Sequence, residues 1–162
     1  MPLPKAEQDR QSRLEAVGYL PKLIDDINSH GLEQPNKKKQ IICSCLVVFD
    51  VMLLETYVEG LVTEAQEFLL RELDDYSKLG WDVLLPVSED LKQRKDHRAV
   101  WSLAGVGWKE ELRKRRKTLL EGFHTPRPEN IDDLVFVTLG LKDISKAWKW
   151  SGASPDSPQA IE

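Results

Sequence analysis

From about residue 37 to about residue 72 the chain contains no proline and a single glycine, Gly60. Apolar side chains recur through that stretch at helical intervals, which predicts one continuous α-helix. At about 1.5 Å per residue it is about 50 Å long, more than a small domain needs, so it is expected to be the spine of a helical bundle. Its two halves differ. Residues 41–54 are apolar on nearly every side, as expected of a helix surrounded by neighbours. Beyond Glu55 one stripe stays apolar, through Tyr57, Leu61, Ala65 and Phe68, while Glu55, Glu59, Glu64, Glu67 and Glu72 are expected to face elsewhere, which leaves this half partly exposed.

The remaining chain reads as shorter helices around that spine. Leu14, Val17, Leu20, Ile24 and Ile27 give helical spacing over residues 8–28, with a kink or break at Gly18 and Pro21. Residues 74–96, punctuated by Gly80 and Pro86, read as an irregular excursion holding at most one short helix. Trp108, Leu112, Leu119 and Phe123 share a narrow stripe of a helix over residues 108–123. After Thr125-Pro126-Arg127-Pro128 a short helix over 129–139 ends at Gly140, followed by a turn or two over 143–148. No alternating strand pattern appears, so the fold class is all-α. Ser157 followed by Pro158 is a helix start signal, and the sequence stops at Glu162.

At 162 residues a single domain is expected, with its core over about residues 36–150 and a linker and aborted helix start over 151–162. A formal charge of −4 and a pI near 5.5 exclude a globally basic nucleic-acid binder, though not a local basic patch. The polar N-terminus is no signal peptide, and the apolar run at 41–54 is short for a bilayer and contains Asp50. The expectation is a cytoplasmic protein without a membrane partner. Cys43 and Cys45 lie two apart on a helix, point to different sides and are read as core filler.

Asp50 is the most anomalous residue, because the stripe Cys43, Leu46, Leu54, Tyr57 and Leu61 would bury a lone carboxylate. Arg116, inside the apolar stripe of the 108–123 helix, is the expected partner in a buried polar pair. Lys109, Arg113 and Lys117 recur at i, i+4 and i+8 and form a face able to track a phosphate backbone, the candidate RNA contact. Glu55 and Glu59 stand one turn apart and could converge on a cation, or simply be solvated. Glu121-Gly122-Phe123-His124 is one Glu-x-x-His match, whereas helical di-iron sites need two; neither a metal nor another cofactor is expected, and His124 is read as a C-terminal helix cap.

The run Phe123-His124-Thr125-Pro126-Arg127-Pro128-Glu129-Asn130-Ile131-Asp132-Asp133-Leu134, continuing through Leu139-Gly140-Leu141-Lys142-Asp143-Ile144 to Trp148-Lys149-Trp150, resembles the RiboL-PSP-HEPN family. Cys45-Leu46-Val47-Val48-Phe49 with Leu54-Glu55-Thr56-Tyr57-Val58-Glu59-Gly60-Leu61-Val62 is similar to that family's long helix with its paired glutamates. The likeness covers about residues 40–150. It implies a HEPN-like helical bundle related to RNA-cleaving toxin and defence nucleases, often dimeric, with an antitoxin-like protein as a further type of partner. It also implies a catalytic arginine and histidine, four to six residues apart on a late helix, which neutralise phosphate charge and move protons.

No such pair stands in this chain. Arg94 and His97 are separated by two residues, and Arg116 and His124 by seven. Lys92–His97 and Lys117–His124 have suitable spacing, but lysine lacks the planar fork of arginine. The resemblance places the signature after the Trp-x-Trp segment, on the helix that Ser157 would open. The expectation is therefore a bundle without its final helix, with no catalytic residues and inactive as a nuclease. The alternative is a non-enzymatic interaction or dimerisation module that uses the apolar surface the last helix would have covered.

Overall fold

The computed structural model describes residues 4–19, 22, 25–26, 35–94 and 98–148. Five α-helices have their bounds among the described residues: α1 (Lys5–Val17), α2 (Pro35–Glu72), α3 (Trp81–Gln93), α4 (Gly107–Glu121) and α5 (Pro128–Leu139). Short 3₁₀ helices at Tyr76–Lys78, Ala99–Leu103 and Ile144–Ala147 join or follow them, and no strand occurs among the described residues. The architecture is all-α and built on one long helix, as the unbroken stretch predicts. The expected helix start at Ser157, the Trp150 of the Trp-x-Trp segment and His97 lie outside the described residues, as does most of the stretch from 20 to 34.

The excursion over 74–96 is largely a helix. Val83, Val87 and Leu91 recur every four residues along α3 and are all buried. Pro86 lies inside α3 and forfeits one backbone hydrogen bond, at a cost of about 3 kcal/mol. Burying three apolar side chains at about 1.5–3 kcal/mol each offsets it. Pro86 punctuates the sequence without ending the helix, because that burial outweighs it.

Two apolar cores line the C-terminal half of α2. Val58 and Val62 pack with Phe123, Ile131, Leu134 and Val135, and Leu119, Leu139 and Trp148 cover that cluster. Further along, Leu70 packs with Val83, Val87, Leu91, Trp108 and Leu112. Helix α4 thus serves both: Trp108 and Leu112 enter one core, Leu119 the other, joined there by Phe123 just past the helix end. A Cβ on Gly107 would lie 1.8 Å from the Ser102 carbonyl oxygen, so the entry into α4 requires glycine. Gly140, at φ +76°, ends α5 in the left-handed conformation that glycine adopts freely.

The buried stripe of α2 runs through Val58, Val62, Gln66 and Leu70. It is not the Tyr57–Phe68 stripe expected from sequence: Phe68 is 52% exposed, with Arg71 over its ring. Apolar residues occupy more than one side of this half, and the packing of α3, α4 and α5 selects the side.

Helix α1 docks against α2 at the level of Gly60, where an added Cβ would stand 2.9 Å from the Ala6 Cβ. The Glu64 carboxylate accepts the N–H groups of Lys5 (3.0 Å) and Ala6 (2.7 Å). A carboxylate from another helix therefore meets the positive end of the α1 dipole and satisfies two orphan donors. Arg10 lies over the Tyr57 ring, 5.5 Å from its centroid.

The N-terminal half of α2 is far less covered. Ile41, Val47, Val48, Phe49, Val51 and Met52 are all between 44% and 64% exposed. The expectation of a helix enclosed on every side is corrected: neighbours line this segment only in part. Cys43 and Cys45, read as core filler, are both exposed.

Candidate functional site

The expected Asp50–Arg116 pair does not form. Asp50 is exposed on the free half of α2. Arg116, its side chain 12% exposed, donates to Glu67 (2.8 Å), to Gln66 Oε1 (3.0 Å) and to the Thr63 carbonyl (3.3 Å). Helix α4 crosses α2 at the level of residues 63–67, more than three turns beyond Asp50, so the carboxylate within reach is Glu67. Gln66 extends the network by donating to the Thr138 carbonyl at 3.2 Å, and the Thr138 hydroxyl donates to the Leu134 carbonyl at 2.6 Å. A chain of polar contacts thereby links α4, α2 and α5 through a buried glutamine.

The basic face of α4 is present but its charge is partly spent internally. Arg113 donates to both carboxylate oxygens of Glu67 at 2.8–3.0 Å and to Glu110 at 2.5 Å. Hydrogen bonds from Arg113, and then from Arg116, hold the Glu67 carboxyl at about 2, outweighing its partial burial. Lys109 sits over the Trp108 ring, 5.3 Å from the centroid. Lys117 is 81% exposed and stands 3.9 Å from Glu121. Arg113, Lys114, Arg116 and Lys117 line an open groove of about 620 Å³, which Glu59 and Glu121 also enter. Of the three residues expected to contact phosphate, Lys117 projects into solvent and Arg113 is committed to two glutamates.

Glu55, Glu59 and His124 form a small cluster where the covered half of α2 begins. His124 Nδ1 lies 4.0 Å from Glu55 Oε1, and its side chain is 76% exposed. Burial first, and the Glu55 charge second, raise the Glu59 carboxyl above its usual range, with His124 opposing. His124 therefore faces α2 beyond the end of α4, so a cap on α4 is not its principal contact. Among the described residues no group of three or more His, Cys, Asp or Glu side chains is arranged to hold a metal ion.

The free half of α2 is the other distinctive surface. Residues Asn36–Glu72 are long and apolar enough to cross a membrane by length and composition, and the most apolar window is 6% buried. Geometry limits that option. The exposed run from Ile41 to Met52 extends about 18 Å against a hydrocarbon core of about 30 Å. Asp50 interrupts it, and Val58 and Val62 beyond it are committed to the bundle core.

Sequence reasoning missed Glu64, Glu67 and Glu111, all read as solvated charges or passed over. Glu111 is buried on α4; burial pushes its carboxyl up, but Lys114 at 2.7 Å and Arg94 at 3.1 Å outweigh it and hold the group below its ordinary value. The one available signal was that Glu111 adjoins Leu112 on the apolar side of α4. Searches against protein-family models, curated proteins and solved structures return no match for this chain.

Proposed function

We propose that this chain is a HEPN-type helical scaffold that works as an assembly module, docking through the free half of α2, and does not cut RNA by itself. The observation that carries this reading is the exposure of Ile41, Val48, Phe49 and Met52 on one continuous helix. An apolar surface of this kind on a folded domain marks a partner site. The family part rests on the resemblance and on the packing of its two stretches together: Val58 and Val62 meet Ile131, Leu134 and Val135, with Trp148 against the same core.

A second reading, RNA contact, is favoured by the groove lined by Arg113, Lys114, Arg116 and Lys117. The glutamates that engage Arg113 and Arg116 weaken it, because a phosphate there must compete with Glu67.

The two readings separate in a comparison of the purified chain with Val48→Asp, assayed for size by light scattering and for cleavage of structured and single-stranded RNA. Docking expects concentration-dependent association that Val48→Asp abolishes, with no cleavage by either protein. Cleavage that Val48→Asp retains, from a chain monomeric at every concentration, overturns it.

A further inference from the structure

The exposed side of α2 carries a regular pattern. Lys38, Ile41, Cys45, Val48, Met52 and Glu55 follow one another at alternating intervals of three and four residues. That is the spacing of a coiled-coil seam. Ile41, Val48 and Met52 are each more than half exposed, and Lys38 and Cys45 are exposed as well. Glu55 is 26% exposed, at the point where the bundle begins to cover the helix.

The seam is basic at its start, apolar in its middle and acidic at its end, and it is its own mirror about the point between Cys45 and Val48. Reversing it exchanges Lys38 with Glu55, Ile41 with Met52 and Cys45 with Val48.

We propose that the surface docks a second copy of this chain, the two α2 helices lying antiparallel about that centre, with Lys38 of each copy beside Glu55 of the partner subunit. Charge selects the direction. A parallel pair sets lysine against lysine at one end and glutamate against glutamate at the other, whereas the antiparallel pair joins opposite charges at both ends. The arrangement is closed by a two-fold axis, so the same patch serves both copies and no filament grows. The overlap from residue 38 to residue 55 is about 27 Å, with four apolar layers between the two ionic ones.

The acidic end is suited to receive a cation. Glu59 stands one turn beyond Glu55; burial and then the Glu55 charge raise its carboxyl, His124 opposes, and a lysine arriving beside the pair offsets the like charge further. Flat burial in lipid fits the same residues less well, since it carries Glu55, at one end of the seam, toward the acyl region.

This inference rests on the docking reading and adds its occupant and register. Its test uses the full chain with Cys43→Ser and Cys45→Ser, adding Ile41→Cys to one preparation and Met52→Cys to another. On mild oxidation the mixture is expected to form a disulfide between unlike chains, with each preparation alone remaining mostly unlinked. Like-chain bridges in the separate preparations overturn the antiparallel register. In parallel, Lys38→Glu is expected to weaken self-association about tenfold by placing like charges at both ends, and adding Glu55→Lys to restore most of it. No rescue overturns the ion pairing.

If the chain associates and Val48→Asp prevents it, yet the unlike-chain bridge does not form, this inference fails while the docking reading stands. A monomer that floats with lipid vesicles through the same apolar residues replaces the second copy with a membrane. A monomer that binds neither itself nor vesicles, with Val48→Asp unchanged, overturns both.

Discussion

The two halves of α2 carry similar side chains on one side of a single helix and meet different fates. Counted at 3.6 residues per turn, Ile41, Val48, Met52, Val62, Gln66 and Leu70 fall on the same side. Val62 is 1% exposed and Val48 is 58% exposed. Nothing intrinsic to the two valines separates them; α4 and α5 cover one and not the other. Continuity of backbone hydrogen bonding carries a helix past the edge of its bundle, so an apolar stripe can outrun its cover and become a surface for association. The transition falls at Glu55, Glu59 and His124, where carboxylates replace aliphatic side chains within two turns.

The sharpest way to break this contrast is to place one charge at each site. Val62→Asp buries an unpaired carboxylate and is expected to cost about 4 kcal/mol or more, enough to remove cooperative thermal unfolding. Val48→Asp should leave the stability of the single chain within about 0.5 kcal/mol. Equal losses from the two in thermal melts followed by circular dichroism would show that the halves are not different environments.

Gly60→Ala probes the α1 crossing near the boundary. The new methyl needs the space of the Ala6 Cβ, 2.9 Å away, so α1 must shift, at an expected cost of about 1–3 kcal/mol. Hydrogen exchange should quicken in α1 well before α5 responds; uniform quickening would contradict local docking.

Acid should act on the covered half. Glu67 has its carboxyl lowered to about 2, so its stabilising contribution is complete above the ordinary carboxylate value near 4.5 and is lost as pH falls through the folded value. Because the side chain is 39% exposed, solvent screening holds that contribution to about 1 kcal/mol. Glu67→Gln should flatten the stability profile between those two pH values. A profile unchanged by the substitution would mean that Arg113 and Arg116 do not hold the carboxylate in solution.

The smallest effects are expected at the ends of the network. Glu64→Gln leaves the α1 N-terminus without an anion and should cost about 0.5–1 kcal/mol, read as faster exchange of the Ala6 amide. Lys117→Ala removes a side chain that is 81% exposed and should leave stability unchanged. A measurable loss there would make the α4 surface more than a solvated face.

Helical periodicity and the absence of proline across nearly forty residues were enough to announce the long helix and the all-α class, and Trp108, Leu112 and Phe123 were legible as core from spacing. Pro86 was misleading because local propensity is weak beside the burial of Val83, Val87 and Leu91. Asp50 was misleading for a related reason: an apolar neighbourhood in sequence implies burial only if another element arrives to cover it, and the described structure leaves that part of α2 open. The glutamates of α2 illustrate the converse. Glu64, Glu67 and Glu59 look alike along the chain, but they meet a helix N-terminus, two guanidinium groups and a second carboxylate respectively.

Backbone hydrogen bonding and side-chain periodicity act within a few residues, which is why helix identity and the Lys38–Glu55 charge pattern can be read directly along the chain. Which side of a helix is wet, which carboxylate an arginine finds and where an apolar stripe loses its cover depend on elements 50 or more residues apart, as Gln66 and Arg116 are. Those pairings are set when α1, α3, α4 and α5 pack against α2, because burial and charge pairing are properties of the assembled bundle and not of any one of its helices.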